Sequence, residues 1–483
     1  MERRELANKI EQVCEIMRRD GLTILGYMEQ LSWLIFLKVF EDLEKEYKLE
    51  AEFEGKEYEP IIEPKYSWSS WTKKDIRADE LKNFIENELL PYLRSLHGSR
   101  DKQLIATIFA EIRQQMRDPF NLKEVISMLN DIDFTNPEDS HILSQLYEEL
   151  LMMMGREGGA AGEYYTPRPL VRLMVKIVNP KIGETIFDPF CGSCGFLVES
   201  FKWMKEQRKL TTEEYKILLE KTFYAQELKA IPYLIGTMNC ILHGLLLPNI
   251  VRKDTFEENV VTTPSQRFDV ILTNPPFGGS VAKHLRDNLP VPTSSTELAA
   301  LQYCMRKLKK GGRCGIVLPE GVLFRRGAYK RVKMELLKEF NVHTIISLPP
   351  GTFAHIAPKG GTGPKANLLF FDRSGPTKEI WYYELLPPGG ESYTKANSVK
   401  DEHLIDCYEK WNNRMISDNS WIVSIEEIKE RDYDLTARNP NKKQEAVYME
   451  PEELIESILE KERQILEILE EIRKILGENH DEN

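Results

Sequence analysis

The tetrapeptide Asn274-Pro275-Pro276-Phe277 follows the apolar run "FDVIL" after a single threonine and offers an uncommon set of groups at a strand end. Proline fixes φ and carries no N–H, so the carbonyls of such a turn stay free as acceptors. An exocyclic amino group on a nucleobase is a poor nucleophile because its lone pair is delocalised into the ring. Accepting one of its N–H groups with the Asn274 side-chain oxygen and the other with the Pro275 carbonyl pushes the nitrogen toward a tetrahedral lone pair. It could then attack an electrophilic methyl. Asparagine cannot act as a general base, so its role is to position and polarise. Phe277 would stack on the base, which must first leave the duplex stack.

A second candidate lies some eighty residues upstream, in "FDPFCGSCGF". Cys191 and Cys194 form a C-x-x-C, yet a zinc site needs two further ligands and the chain has no second C-x-x-C. Its eight histidines show no ligand spacing either. A redox pair would open a helix in a thioredoxin-like unit, whereas here Asp-Pro precedes the pair and glycines sit inside and after it. The stretch instead reads as a tight strand-to-helix turn. Gly192 and Gly195 would let backbone approach a ligand, and Asp188 would hold one of the ligand's polar groups.

Both motifs need a scaffold. Residues 1–155 read as an all-helical domain, with apolar residues at three- and four-residue spacing in "LANKIEQVCEIMRR" and "YMEQLSWLIFLKVFEDLEKEY". After the glycine-bearing break "GREGGAAGEYYTP", residues 156–376 hold seven short apolar runs, most of them separated by helix-length segments. That alternation predicts an α/β domain with a mostly parallel sheet and ligands beyond the carboxyl ends of its strands. Residues 377–448 read as an irregular connecting region, and 449–477 as one long helix. On that helix Leu454, Ile458, Ile465, Ile468, Ile472 and Ile475 repeat at heptad spacing, interrupted by Lys461. Ile455, Leu459, Leu466, Leu469 and Leu476 widen the stripe, which is expected to pack on its own domain or on another subunit, and its terminal position favours the second.

The net charge of −12 looks wrong for a protein that meets nucleic acid, but its distribution is uneven. Residues 401–483 hold 23 acidic against 11 basic side chains, while residues 280–373 hold 16 basic against 6 acidic. A basic middle suits an anionic ligand and an acidic tail suits a protein partner. No apolar run approaches the roughly 20 residues of a membrane helix. The N-terminal "MERRELANKI" lacks the apolar core of a secretory signal, and an odd count of seven cysteines points to a reducing cytoplasm.

Taken together, "GEYYTPRPLV", Asp-Pro-x-Cys-Gly-Ser-x-Gly-Phe-Leu and Asn-Pro-Pro-Phe resemble the modification (methyltransferase) subunits of type I restriction-modification systems. The resemblance covers nearly the whole chain. It implies a Rossmann-like methyltransferase sheet, with a helical N-terminal domain and a long C-terminal helix, that transfers methyl from S-adenosylmethionine to adenine N6 of double-stranded DNA. Glu163, Tyr164, Tyr165, Thr166, Pro167 and Arg168 then correspond to the N-terminal cofactor motif, with Tyr165, Thr166 and Pro167 near the methionine end. Asp188, Gly192, Ser193, Cys194 and Gly195 form the cofactor loop, Glu227 takes the ribose hydroxyls, and Asp254 accepts from the cofactor's adenine amino group. No metal is implied. Independently, Thr166 and Pro167 read as N-cap and first residue of a helix whose apolar face is Leu170, Val171, Met174 and Ile177. The family commonly has glycine where this chain has Cys194, and a positive φ there would be strained.

Only about 75 residues separate the last sheet strand from the terminal helix, which is too few for a recognition domain. The resemblance therefore implies a separate specificity subunit docked through the C-terminal helix, a second copy of the modification subunit, and a restriction subunit as a further partner. Basic residues in 280–373 would bind phosphates without sequence preference. Two rivals use the same residues: a protein-glutamine methyltransferase acting on a side-chain amide, and a non-catalytic assembly subunit. Cytosine N4 is the alternative base acceptor on chemistry alone, against which the Asn of the tetrapeptide speaks.

Overall fold

The computed structural model describes residues 3–157 except 54, 56, 74 and 133–136, and residues 165–441 except 246–247, 263, 265, 355–362, 391 and 395–396. Beyond these it describes isolated helical positions between 455 and 469. Residues 1–439 form one compact unit and residues 440–483 a second.

All seven apolar runs of the sequence are strands: β1 Ile186–Asp188, β2 Phe223–Glu227, β3 Asn249–Arg252, β4 Phe268–Thr273, β5 Leu308–Pro319, β6 Asn341–Ser347 and β7 Ala366–Asp372. The region expected to be irregular adds two more, β8 Glu379–Glu384 and β9 Ser420–Ser424, to the same sheet. The irregular reading failed because "EIWYYE" and "SWIVS" are short and aromatic, and what stabilises them is pairing with each other and with β6, which lies far away in sequence. Strand order is β3-β2-β1-β4-β5-β7-β6-β8-β9. The pairs from β3 to β5 are parallel, and β7 runs antiparallel between β5 and β6. Chain direction changes side at β1 and β4, where crossovers leave the sheet in opposite directions and open a crevice above the strand ends. The candidate residues of β1, β2, β3 and β4 all fall at those carboxyl ends.

Buried strands explain why the runs lack alternation. The side chains of β1 and five of the six residues of β4 are buried, because helices cover both faces of the sheet. The helix Ala230–Leu242 is buried along nearly its whole length. It is caught between the sheet and the N-terminal helices, whose longest member is Ile24–Phe53. The helix Pro137–Glu157 ties that layer to the helix Ala230–Leu242: the Tyr147 hydroxyl lies 2.6 Å from Ser32 Oγ and 3.4 Å from the Ile235 carbonyl. Among the described residues all seven cysteines are buried without a disulfide, and no helix is long and apolar enough to cross a membrane.

The N-terminal layer is locked by a buried cation. The Lys38 ammonium donates to the carbonyls of Leu129, Asn130 and Ile132 at 2.5, 2.9 and 2.5 Å, satisfying the C-terminal end of the helix Pro119–Asn130. Lys38→Met removes these donors and is expected to lower the unfolding free energy by roughly 2–3 kcal/mol, read as a drop in denaturant midpoint.

Candidate functional site

The carboxyl ends of β1 and β4 are tied together by one buried hydrogen bond. The Thr273 hydroxyl donates to Asp188 Oδ1 at 2.6 Å, and the Phe190 amide donates to the same oxygen at 3.1 Å. Asp188 Oδ2 has no partner among the described residues and is shielded from solvent. Burial pushes this carboxyl up from its ordinary value to about 7, against the pull of the two donors. It is held as a group that would gain from a ligand donor or cation.

Between Asp188 and the helix Gly195–Glu206 runs the glycine loop, and its glycines serve different purposes. Gly192 adopts φ +48°, its amide donates to Glu227 Oε2 at 3.0 Å, and its carbonyl sits 2.4 Å from where a β-carbon on Gly236 would stand. Gly195 lines the smaller hollow of the crevice and carries a packing constraint as well. A β-carbon there would lie 1.9 Å from Arg168 Nη1, so the space it leaves is taken by a guanidinium. Cys194 does adopt a left-handed conformation, φ +57°, as the residue before the helix, at a cost of roughly 1 kcal/mol for a side chain there. Burial drives the Cys191 and Cys194 thiols well above the ordinary thiol value, which disfavours a thiolate at either position.

At the end of β4, the Asn274 amide nitrogen donates to Thr166 Oγ1 at 3.0 Å. That bond fixes the orientation of the amide. Asn274 Oδ1 is left shielded from solvent without a described partner, and Asn274 borders both hollows of the crevice. Pro275 is buried and Pro276 exposed. The Phe277 ring meets Phe353 edge-on, with centroids 5.4 Å apart. The next turn is anchored by Glu297, whose Oε1 accepts from the Gly278 amide at 2.6 Å.

Thr166 and Pro167, expected as N-cap and first residue of the following helix, each stand one place earlier. The helix is Arg168–Val178, its N-cap is Pro167, and Pro169 occupies its first turn. Pro169 is equally suited to a first turn, and the Thr166 hydroxyl is engaged by Asn274 instead. The expected apolar face of Leu170, Val171, Met174 and Ile177 is buried. Arg168 is buried against Glu148, while Glu163 and Tyr164 lie outside the described residues.

Two adjoining hollows complete the crevice. The smaller, about 20 Å³, is lined by Thr166, Asp188, Gly192, Ser193, Gly195 and Asn274 among others. The larger, about 470 Å³, is lined by Gly192, Glu227, Asp254, Asn274, Pro276 and Phe277 among others. The Glu227 carboxylate accepts from the amides of Gly192 and Lys229 at 3.0 and 2.9 Å, and burial pushes it up despite those donors. Asp254 accepts from the Phe256 amide at 2.9 Å, capping a short 3-10 turn. Acidic groups at three strand ends, unsatisfied buried oxygens at Asp188 and Asn274, and a glycine-bordered hollow fit a cofactor rich in amino and hydroxyl donors. S-adenosylmethionine has those donors.

Sequence reading missed Thr273, Glu297, Phe353 and Glu148. Thr273 alone had a signal, a hydroxyl at the end of an otherwise apolar buried strand. The basic stretch 280–373 also differs from expectation: Arg306, Lys307, Lys309 and Arg313 pair at 2.9, 2.9, 2.7 and 2.7 Å with this chain's own carboxylates. Arg326 remains largely exposed, although it approaches Asp432 at 3.2 Å. The C-terminal stripe is described at Ile455, Leu459, Ile465, Leu466, Ile468 and Leu469, all exposed; its other positions lie outside the described residues.

The chain is similar to known proteins over nearly its whole length. Residues 138–447 match the family model for N-6 DNA methylases, and residues 6–129 match the HsdM N-terminal domain. The chain is 35% identical to the type I restriction enzyme EcoEI methylase subunit of Escherichia coli, over 98% of each protein. It is 28% identical to the EcoKI methylase subunit of Escherichia coli K12, over 84% of this chain and 75% of that one. Among solved structures, a chain studied for the assembly and conformational transition of the type I R-M system superposes with TM-score 0.84 at 45% identity, covering 99% of both chains. A chain described as a type I restriction enzyme modification subunit from Vibrio vulnificus YJ016 gives TM-score 0.78 at 38% identity, covering 91% of this chain and 97% of that one.

The raised Asp188 value carries a sign. Stability from its neutral form is fully present below the ordinary carboxyl value of 3.8 and is lost as pH rises through about 7. Asp188→Asn is therefore expected to flatten the decline in ligand-free melting temperature between about pH 4 and 7; an unchanged decline in calorimetry would mean the carboxyl is not the titrating group.

Proposed function

The chain belongs to the N-6 DNA methylase family as a type I restriction enzyme methylase subunit, and on that footing we propose that it methylates adenine N6 in double-stranded DNA at the crevice above β1 and β4. The observation that carries this reading is Asn274: a buried amide oxygen without a described partner, oriented by Thr166 and bordering the hollow that Phe277 lines. S-adenosylmethionine supplies the electrophilic methyl when bound. Asp188, Gly192, Ser193 and Glu227 would hold it, with Asp254 at its adenine end and Tyr165, Thr166 and Pro167 at its methionine end, joined by Arg168 and Cys194 through the loop they support. Glu163 and Tyr164 complete that motif by resemblance.

Asn274 Oδ1 and the Pro275 carbonyl would accept the two N–H groups of the target amine and localise its lone pair toward the methyl. Phe277 would stack on the extruded base, its tilt set by the edge of Phe353. Pro276 keeps the turn rigid. The surplus proton passes to solvent, since no group at this turn is a suitable base. Exposed cations such as Arg325 would contact phosphates, because several others of the basic stretch are paired with carboxylates.

Sequence recognition would come from a separate specificity subunit, docked through the apolar stripe of the C-terminal helix, in a complex with a second copy of this subunit and, where present, a restriction subunit. The exposed stripe residues support this, since so much apolar surface on one helix invites a partner.

The test is transfer of labelled methyl from S-adenosylmethionine to genomic DNA, with the chain alone and with its co-expressed specificity subunit, followed by nucleoside analysis. Label is expected in N6-methyladenine only with the partner, and Asn274→Ala should reduce it by roughly 10²–10³-fold, the scale of one lost transition-state hydrogen bond. Label in protein glutamine would overturn the reading, as would robust site-specific methylation by the chain alone.

A further inference from the structure

The glycine loop is braced from the N-terminal helical layer. Arg168 Nε donates to Glu148 Oε2 at 2.7 Å and Nη2 to Glu148 Oε1 at 3.2 Å, a two-pronged grip. The same Nη2 reaches Ser193 Oγ at 3.2 Å, and the guanidinium lies 5.0 Å from the centre of the Tyr165 ring. Nη1 fills the space left by Gly195. A single side chain thus touches the loop at two of its five positions between 191 and 195.

Glu148 sits on the helix Pro137–Glu157, next to Tyr147, whose hydroxyl lies 2.6 Å from Ser32 Oγ on the longest N-terminal helix. Burial alone would raise the Glu148 carboxyl, but the adjacent Arg168 charge brings it down to about 2, which keeps the pair ionised at neutral pH. Asn239, on the helix behind, donates to the Ser193 carbonyl at 2.8 Å and closes the other side of the loop.

We infer that Glu148 is a positioning residue, which through Arg168 sets the conformation of the loop 191–195 and so makes the affinity for the cofactor depend on the seating of the helical layer. The inference rests on the reading that this loop holds S-adenosylmethionine. Removing one member of a buried ion pair strands the other. A stranded Arg168 would turn toward water and withdraw its support from Ser193 and Gly195, although neither Glu148 nor the helix that bears it need touch the ligand.

The experiment uses the full chain and two readouts: hydrogen exchange of the amides 191–196 without ligand, and calorimetric binding of S-adenosylhomocysteine. Glu148→Gln is expected to speed loop exchange and weaken binding, each by roughly tenfold or more. Glu148→Asp should recover most of both. Arg100→Ala removes a different bridge from the helical layer to the sheet, 2.6 Å to Asn249 Oδ1, and should change neither. Should Glu148→Gln melt the helical layer, Arg168→Lys, which keeps the charge and loses the second prong, carries the same expectation. Unchanged exchange and binding in a folded Glu148→Gln chain overturn the inference. Failure of the parent chain to bind S-adenosylhomocysteine overturns the cofactor reading instead, and is told apart because the exchange measurement needs no ligand.

Discussion

The 2.6 Å bond from Thr273 to Asp188 joins the two strand ends on which the site depends. β1 leads into the glycine loop and β4 into the Asn-Pro-Pro-Phe turn, so this contact sets the distance between the group that would hold the cofactor and the group that would hold the target amine. A methyl transfer tolerates little error in that distance. The bond is buried at a low dielectric, which strengthens it and raises the cost of Oδ2, left without a described partner on the same carboxyl. A site that keeps one oxygen satisfied and one waiting is rigid in position and unsatisfied in chemistry.

Around this contact the molecule adds supports that do no chemistry. Glu297 holds the backbone after Phe277, Phe353 holds its ring, and Thr166 holds the amide of Asn274. Arg168 fills the gap at Gly195 and carries the grip of Glu148 back to the helical layer. The supports come from several separate segments, so the site forms only when sheet and helices are assembled. The strained Cys194 is consistent with that: neighbours over-determine a left-handed residue that the loop by itself would not choose.

Legibility in the sequence followed locality. The seven strands were visible because burial on both faces demands unbroken apolar runs, and the Asn-Pro-Pro-Phe turn because two prolines and an amide have few other uses at a strand end. β8 and β9 were not visible, since their pairing partners lie far along the chain and their aromatic residues fit several roles. Thr166 reads locally as a cap, because Thr-Pro before an apolar face is a good helix start. A bond to Asn274, 108 residues away, is what engages its hydroxyl.

The amino-acid sequence by itself determined which groups are present and the fold class that carries them: a buried, largely parallel sheet, a glycine turn after its first strand, and an amide-proline turn after its fourth. Periodicity and turn chemistry are short-range, so they can be read along the chain. Tertiary structure decided which of those groups meet: that Arg168 is held by a helical glutamate, that Gly195 makes room for an arginine, and that much of the basic stretch neutralises the chain's own acids. Hydrogen bonds and ion pairs depend on separations of about 3 Å between residues remote in sequence. Only the folded chain sets those separations.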